Sequence, residues 1–245
     1  MVELTTALVT GASSGIGAGV VEVLSAAGFK VTALARRVDR LSKLSDRTGC
    51  AVAVADVTDP AAMAGALSEL EPDIVVCNAG LGAGFEGMAG TAHADIKSVI
   101  DTNVTGTLRL LNLVLPGMIA RRRGHVVTIG SVAALYPSNS ALYGASKAAI
   151  RQIALNLRME LAGTGVRVTD LQPGRVTTEF YDVAMDEEKA AAAKNTGIRE
   201  LSPEDIGNAV LYAVTAPQHV NVMTIELQPL EQTYGGMGVS PVDWS

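Results

Sequence analysis

A tyrosine and a lysine stand four residues apart in the segment 141–150, as Tyr143 and Lys147. On a helix this spacing puts both side chains on one face. The same face continues with apolar residues at helical spacing, namely Ile150, Ala154, Leu157 and Leu161. An ammonium beside a phenol favours the phenolate, so we expect the pKa of Tyr143 to fall from about 10 toward the working range of a general acid or base. The pair predicts proton transfer in a buried site, although the spacing also arises by chance in many helices.

A glycine-rich turn follows the first apolar segment and reads Thr10-Gly-Ala-Ser-Ser-Gly-Ile-Gly17. An amphipathic helix pattern comes next, which gives the order strand, turn and helix. In that order Gly11 permits a tight turn, Gly15 lets backbone N–H groups approach a pyrophosphate, and Gly17 allows close helix packing. A structural turn is the alternative. The context favours a dinucleotide site, whose candidate contacts here are Gly11, Ser13, Ser14, Gly15, Ile16 and Gly17.

Two arginines, Arg36 and Arg37, stand at the end of the second apolar segment. Enzymes that use NAD place an acidic residue at this point against the ribose 2′-hydroxyl. A guanidinium instead matches a 2′-phosphate by charge and by bidentate geometry, whereas an acid would repel it. The arginines therefore predict NADP(H) as the coenzyme. The alternative is that both are solvated residues at the start of a helix.

Polar and small residues also follow the later strands. Ser131 comes after the fifth strand, where a hydroxyl can point at a substrate carbonyl. Asn103 lies in a helix pattern, where an exposed or capping amide is the expected role. Further candidate coenzyme contacts at strand ends, near an adenine edge and a ribose, are Asp56, Val57, Asn78, Ala79 and Gly80.

Apolar strand-like segments alternate with helical patterns along the whole chain. The seven segments are 6–10, 30–35, 51–55, 73–77, 125–129, 166–171 and 221–227. Helical crossovers between parallel strands give a doubly wound sheet, so we expect one Rossmann-type α/β domain over 1–245. Its strand order should be 3-2-1-4-5-6-7, with ligands at the carboxyl ends of the strands. The long excursion at 175–200 is typical of a substrate lid, and Ser202-Pro203 predicts the next helix start.

The composition limits the classes of function. The hydrophobic content of 48% indicates a packed core, and a formal charge of −6 gives no electrostatic footprint for nucleic acid or anionic lipid. Cys50 and Cys77 lie in apolar segments without metal-ligand spacing, so we expect reduced core cysteines and no metal site. The three histidines are expected to be structural or solvated. No secretory pattern and no apolar run of about 18 residues occurs, which favours a soluble, cytoplasmic protein.

Together these residues resemble the short-chain dehydrogenase/reductase family, whose motifs occur here in the family's order over nearly the whole chain. The matching motifs are Thr10-Gly-xxx-Gly-Ile-Gly17, Asn78-Ala-Gly80, Asn103, Ser131, Tyr143-xxx-Lys147 and Pro173-Gly-Arg-Val-Thr-Thr178. The resemblance implies that Tyr143 is the general acid/base and that Ser131 orients the carbonyl. Lys147 would lower the pKa of Tyr143 and hold the nicotinamide ribose.

The same resemblance implies further roles. Asn103 would support a water-linked proton path, and Thr178 would contact the carboxamide end of the coenzyme. Pro173, Gly174 and Val176 would lie beside it. Members of the family usually form homotetramers through the helices around Asn103 and Tyr143, so a homotetramer is expected.

A closer likeness is to the bacterial NADP-dependent 3-hydroxy acid dehydrogenases that oxidise serine and allo-threonine. It rests on Ala35-Arg-Arg37 and on the segments 124–131, 143–157, 165–170 and 227–236. It implies a small 3-hydroxy acid or its keto form as substrate, and such a substrate needs a cation for its carboxylate. Arg175 is the best candidate, and the other candidate substrate contacts are Ser131, Tyr136 and Tyr181.

Other functions remain open from the sequence. One is a reductase for a larger, uncharged ketone or aldehyde, with an apolar pocket made by Leu135, Tyr136, Phe180, Tyr181 and Met185. The intervals around the substrate pocket are shorter than usual in the family, with 12 residues from Ser131 to Tyr143. A protein that binds NADP(H) without turnover is disfavoured because Ser131, Tyr143 and Lys147 are all present. A sugar epimerase or dehydratase of the extended branch is disfavoured by the glycine spacing and the short chain.

Overall fold

Parallel strands form one sheet at the centre of the fold. The computed structural model describes residues 4–233 and 238–244, so Tyr234, part of the likeness at 227–236, lies outside the described residues. Within the described residues the strands are β1 (Thr6–Thr10), β2 (Lys30–Ala35), β3 (Ala51–Val54), β4 (Ile74–Cys77), β5 (Gly124–Ile129), β6 (Val166–Pro173) and β7 (Thr224–Leu227). Their order across the sheet is β3-β2-β1-β4-β5-β6-β7, which confirms the predicted order.

Helices connect consecutive strands. They are α1 (Gly15–Ala26), α2 (Val38–Thr48), α3 (Pro60–Leu67), α4 (His93–Val99), α5 (Gly106–Ala120), α6 (Ala141–Glu160), α7 (Phe180–Ala184), α8 (Glu187–Lys194) and α9 (Pro203–Thr215). A π-helical segment, Ile100–Thr105, joins α4 to α5. The start of α9 follows the prediction, because Ser202 and Asp205 form a capping box with Pro203 in the first turn.

The helices cover both faces of the sheet. Successive strand residues point to opposite faces, so Ala7 and Val9 of β1 enter one core while Leu8 enters the other. The first core lies under α1, α2 and α9 and includes Val20, Leu24, Leu41, Ile206 and Val210. The second core lies under α3, α5 and α6 and includes Met63, Leu110, Met118, Ala154 and Leu157. With both faces buried, the loops at the carboxyl ends of the strands are left to form a site.

The strand bounds differ from the predicted segments most at β7, which begins at Thr224 instead of 221, and at β6. Strand β6 extends to Pro173 because β7 pairs with it in register from Asp170 opposite Thr224 to Pro173 opposite Leu227. The extension brings Gln172 and Pro173 to the edge where the other strands end. The segment 175–200 then leaves the sheet and holds α7 and α8. In the part of the chain that the structure describes, no helix is both long and apolar enough to cross a bilayer.

Candidate active site

A cavity of about 510 Å³ runs along the carboxyl edge of the sheet. It brings together nearly all the predicted site residues. Those that line it are Gly11, Ser13, Ser14, Gly15, Ile16, Arg36, Arg37, Asp56, Val57, Asn78, Ala79, Gly80, Ser131, Tyr143, Lys147, Pro173, Gly174, Arg175, Val176, Thr178 and Tyr181. The arginines lie at one end, near β2, and the tyrosine and lysine lie beside β5. The residues Gly17, Asn103 and Tyr136 are not among the lining residues.

The glycine turn between β1 and α1 forms one wall of the cavity. Gly11 has a φ of 65° and packs so closely on β4 that an added Cβ would lie 2.8 Å from the Cα of Ala79. Asn78 fixes this turn, because its Nδ2 donates to the carbonyl oxygens of Thr10 (2.9 Å) and Gly11 (3.3 Å). Gly17 is buried in α1 against the turn, in agreement with its predicted packing role. The start of α1 therefore meets the cavity, where its N–H groups favour an anion.

The two arginines differ in their surroundings. Arg37 donates from Nε to Ser13 Oγ (3.0 Å) and from Nη2 to Ser14 Oγ (2.6 Å), so it is joined to the glycine turn. Arg36 is more exposed and pairs with Asp56 at 3.2 Å. The Asp56 carboxylate also accepts bonds from the backbone and hydroxyl of Thr58. Guanidinium and hydroxyl groups thus meet at this end of the cavity, a donor set that suits a phosphate.

Helix α6 carries Tyr143 and Lys147 to the cavity. Ser140 caps this helix and accepts a hydrogen bond from the backbone N–H of Tyr143 at 3.0 Å. Lys147 is buried, and its Nζ donates to the carbonyl oxygen of Ile129 at 2.9 Å and lies 5.7 Å from the centre of the Tyr143 ring. The hydroxyl of Ser131 lies near that of Tyr143 and favours its deprotonated form. Hydroxyl, phenol and ammonium therefore converge beside the end of β5.

The expected fall in the pKa of Tyr143 is wrong for this arrangement. Burial raises the pKa of Tyr143 to about 12, although the nearby Ser131 hydroxyl acts in the opposite direction. Burial also lowers the pKa of Lys147 to about 8, against the attraction of the Asp170 carboxylate. The ammonium bonds to a carbonyl rather than to the phenol, so its charge does not outweigh the cost of burying a phenolate. Tyr143 is consequently a phenol, and a proton donor, at neutral pH.

Asn103 is neither exposed nor a cap, which corrects the expectation drawn from its helix pattern. It lies in the π-helical segment with its side chain facing inward, where it is 1% exposed. Its amide exchanges two hydrogen bonds of 2.9 Å with the backbone of Leu81 and donates a third to Ser146 Oγ at 3.0 Å. Such π-helical insertions are frequent at functional sites. Here Asn103 joins α6 to the loop after β4, whose Leu81 lines the cavity.

Arg175 lines the cavity but is already paired. Its Nε donates to Glu200 at 2.9 Å, its Nη2 donates to the carbonyl oxygen of Ala193, and its guanidinium lies 5.3 Å from the centre of the Tyr181 ring. The side chain is buried, so Glu200 balances most of its charge. The predicted cation beside the lid is thus present in the cavity, with its charge shared with Glu200.

Tyr136, a predicted substrate contact, does not line the cavity. Its hydroxyl donates to Glu226 at 3.1 Å on the strand β7, outside the cavity. The 3-10 turn Val132–Ala134 directs the chain away from Ser131 before Tyr136 is reached. Leu135 is likewise absent from the lining, whereas Phe180, Tyr181 and Met185 belong to it.

The residues of the site that were not found from the sequence include Phe85, Glu179 and Gln172. Phe85 faces the cavity and lies 6.0 Å, between ring centres, from both Tyr143 and Phe180. Glu179 accepts bonds of 2.8 and 2.6 Å from Arg40 and lies 3.6 Å from Arg37. Gln172 accepts a bond from the backbone N–H of Ser131. Of these three, only Gln172 could have been recognised from the sequence, because a polar residue in a buried strand needs a hydrogen-bond partner.

Comparisons with known proteins agree with this arrangement. A sequence model of the short chain dehydrogenase family matches residues 5–189. The chain is 41% identical over 242 residues to the NADP-dependent 3-hydroxy acid dehydrogenase YdfG of Escherichia coli (strain K12), covering 95% of this chain and 98% of that protein. It is 37% identical over 243 residues to the serine 3-dehydrogenase of Rhizobium radiobacter, with 96% and 97% covered.

Solved structures give the same result. The closed form of a serine dehydrogenase complexed with NADP+ superposes with a TM-score of 0.90 at 41% identity and covers 97% of this chain and 100% of that chain. A serine dehydrogenase from Escherichia coli gives a TM-score of 0.82 at 38% identity, with 94% and 100% covered. Since the family motifs also meet in one cavity, this chain belongs to the short-chain dehydrogenase family.

Proposed function

We propose that the protein is an NADP-dependent oxidoreductase that transfers a hydride between the coenzyme and a small alcohol or carbonyl substrate. The proposal rests on one observation: a single cavity contains both the candidate catalytic residues and a set of donors that suits a phosphate. Ser131, Tyr143 and Lys147 meet at one end, and the phosphate-type donors of Arg37 and the glycine turn lie at the other. The relatives named above, which include NADP-dependent and serine dehydrogenases, support the same function.

The residues of the cavity suit a phosphorylated dinucleotide. The N-terminus of α1 would hold the pyrophosphate, and Arg36 and Arg37 would hold the 2′-phosphate with the hydroxyls of Ser13 and Ser14. Lys147 would bond the nicotinamide ribose, and Thr178 would contact the carboxamide. When bound, NADPH supplies a hydride to the substrate carbon and NADP+ accepts one from it.

The chain's own residues manage the proton. In reduction, the Ser131 hydroxyl donates a hydrogen bond to the carbonyl oxygen, and Tyr143 gives its proton to that oxygen as negative charge develops there. The neighbouring Lys147 ammonium stabilises the phenolate left behind. In oxidation the phenolate takes the proton from the alcohol. Asn103 would support the resupply of protons while it holds the loop at Leu81.

A 3-hydroxy acid is the proposed substrate class, because relatives that cover nearly the whole chain act on such compounds by name. Its carboxylate would approach Arg175 and would have to compete with Glu200. An uncharged ketone or aldehyde is the second candidate. The rings of Phe85, Phe180 and Tyr181 favour it, since they lie within 6.5 Å of one another and line the cavity beside Tyr143.

A substrate panel tests these alternatives. Serine, allo-threonine and 3-hydroxypropionate are compared with uncharged alcohols at fixed NADP+, and uncharged ketones and aldehydes are assayed with NADPH. We expect the hydroxy acids to be preferred and Arg175→Ala to raise their KM. Preference for the uncharged set, unchanged in Arg175→Ala, would assign the second candidate. Absence of turnover with every compound, with NADPH still bound, would instead indicate a coenzyme-binding protein.

We propose with this function a homotetramer and a cytoplasmic location. Large apolar side chains exposed on α5 and α6, among them Leu108, Leu113 and Met159, support an interface at these helices. The segment 175–200 is proposed as the substrate lid of one domain spanning 1–245. It supplies much of the cavity wall opposite the sheet, through Arg175, Val176, Thr178, Glu179, Phe180, Tyr181, Val183, Met185 and Ala193.

A further inference from the structure

Two buried polar residues of β6, Asp170 and Gln172, lie under the loop that carries Ser131. They are two positions apart in the strand, so they point to the same face of the sheet. Asp170 is 2% exposed and Gln172 is fully buried. Burying a carboxylate and an amide is costly unless both are fully hydrogen-bonded, so both side chains need partners inside the protein.

A chain of hydrogen bonds runs from the carboxylate to Ser131. Thr128 Oγ1 donates to Asp170 Oδ1 at 2.8 Å, and Gln172 Nε2 donates to Asp170 Oδ2. The backbone N–H of Ser131 then donates to Gln172 Oε1 at 2.8 Å. A carboxylate can only accept, so Asp170 forces the amide nitrogen of Gln172 toward itself and the amide oxygen toward Ser131.

The sequence permits this contact through Gly130. A Cβ at this position would lie 2.6 Å from the amide nitrogen of Gln172, so a larger residue would push the amide away. The N–H of Gly130 also donates to the carbonyl oxygen of Leu171 at 2.8 Å. Gly130 and Ser131, which directly follow β5, are therefore both hydrogen-bonded to β6.

The same carboxylate acts on Lys147. Lys147 bonds the carbonyl of Ile129, on the strand beside Asp170, and attraction to Asp170 opposes the loss of its charge. The other ionisable groups around this pair are Tyr143 on α6, Tyr181 acting on Tyr143 from α7, and Arg158 on α6, which also interacts with Asp170.

We propose that Asp170 and Gln172 are positioning residues of the active site. Gln172 fixes the backbone that presents the Ser131 hydroxyl, and Asp170 both orients Gln172 and provides the negative charge that balances Lys147. This inference rests on the proposed function, because it gives these two residues a part in the work of Ser131 and Lys147.

Two substitutions separate the effect of the Asp170 charge on Lys147 from the positioning of Ser131 by Gln172. Asp170→Asn keeps the shape and an acceptor for Gln172 but removes the charge. It should move the alkaline limb of the carbonyl-reduction rate to lower pH, by about one unit. Gln172→Met keeps the length but leaves the N–H of Ser131 without an acceptor. It should lower kcat by about ten- to a hundredfold, with the NADPH Kd and the pH limb unchanged.

Thr169→Val is the matched control, because Thr169 is a buried residue of β6 that bonds His125 and the carbonyl of Val222 instead. It should leave both kcat and the pH limb unchanged. If Asp170→Asn and Gln172→Met behave like Thr169→Val, the proposal is overturned. Thr128→Val, which removes one bond to the carboxylate, replaces Asp170→Asn if that variant does not fold. It should lower kcat to a smaller degree, and unchanged kcat would count against the proposal.

A readout without turnover separates this inference from the proposed function. Hydrogen–deuterium exchange of the peptide that contains Ser131 should be faster in Gln172→Met than in the unchanged chain or in Thr169→Val. Unchanged exchange would overturn the positioning role even in an active enzyme. Faster exchange in a protein that turns over no alcohol or carbonyl would support the structural link while the proposed function fails.

Discussion

At the scale of single residues, burial decides the protonation state of Tyr143. Burial raises its pKa to about 12, so the phenol keeps its proton at neutral pH. A protonated phenol is ready to act as an acid when negative charge forms on a substrate oxygen. The phenol can therefore act directly as the acid of carbonyl reduction, whereas alcohol oxidation requires its deprotonated form.

Removing the phenol oxygen gives the first prediction. Tyr143→Phe should lower the turnover number by about 10² to 10⁴, because general acid and base catalysis is lost while the ring remains. NADPH affinity, measured by fluorescence titration, should change little. Tyr212→Phe, at an exposed position on α9, is the control and should keep full activity. Near-normal turnover of Tyr143→Phe would contradict the assignment.

The pH dependence should differ between the two directions. Reduction needs the Tyr143 proton and the Lys147 ammonium, whose pKa is about 8, so its rate should fall as the pH rises above about 8. Oxidation needs the phenolate, so its rate should rise through the neutral and alkaline range toward the pKa of Tyr143. Initial rates of NADPH loss and formation at constant ionic strength measure both. Parallel profiles would count against Tyr143 as the shared proton carrier.

At the scale of elements, α2 and the glycine turn meet at Arg37. Because Arg37 bonds the hydroxyls of Ser13 and Ser14 and Arg36 is largely solvated, Arg37 should contribute more to coenzyme choice. Arg37→Ala should weaken NADPH binding about tenfold or more and leave NADH binding nearly unchanged. Arg36→Ala should have a smaller effect, and Arg47→Ala, on a distant surface pair with Glu22, none. Equal weakening of both coenzymes by Arg37→Ala would refute a 2′-phosphate contact.

Glu179, in the segment 175–200, lies beside Arg37 and Arg40. This carboxylate pairs with Arg40 and lies near Arg37, where a 2′-phosphate would bring a second negative charge. Glu179→Gln should therefore tighten NADPH binding, measured at low salt, and should change NADH binding less. The gain should shrink at high salt because both partners are partly exposed. Weaker NADPH binding in Glu179→Gln would mean that the carboxylate instead orients the arginines.

Features that depend on the local spacing of residues were predicted from the sequence. The glycine turn and the pair Tyr143 and Lys147 follow from motif spacing, and the strand order follows from the Rossmann-type fold that the alternating elements imply. Each is found in the structure. Asn103 was misjudged, since the buried face runs through Val99, Asn103 and Leu110, whereas the expected core residue Leu108 is half exposed. Glu179 was not predictable because its partners lie on α2, far away in the chain. The pKa of Tyr143 also depends on burial, which spacing alone does not give.

At the scale of the whole molecule, α5 and α6 expose large apolar side chains. Leu108 and Leu113 are about half exposed on α5, and Met159 is 80% exposed on α6. Both helices reach the site, because α6 carries Tyr143 and α5 continues the segment that holds Asn103. An interface formed there would support these helices from outside and would link assembly to activity.

The final prediction concerns this interface. Light scattering after size exclusion should give four times the mass of the chain, and the double variant Leu108→Asp with Met159→Asp should give a smaller species, since buried carboxylates oppose association. Val38→Asp, at an exposed apolar residue of α2, is the control and should remain tetrameric. The dissociated variant should lose turnover together with the order of α6, seen as faster hydrogen exchange near Tyr143. If the chain without substitutions is a fully active monomer, α5 and α6 need no partner. The exposed apolar side chains would then simply face solvent.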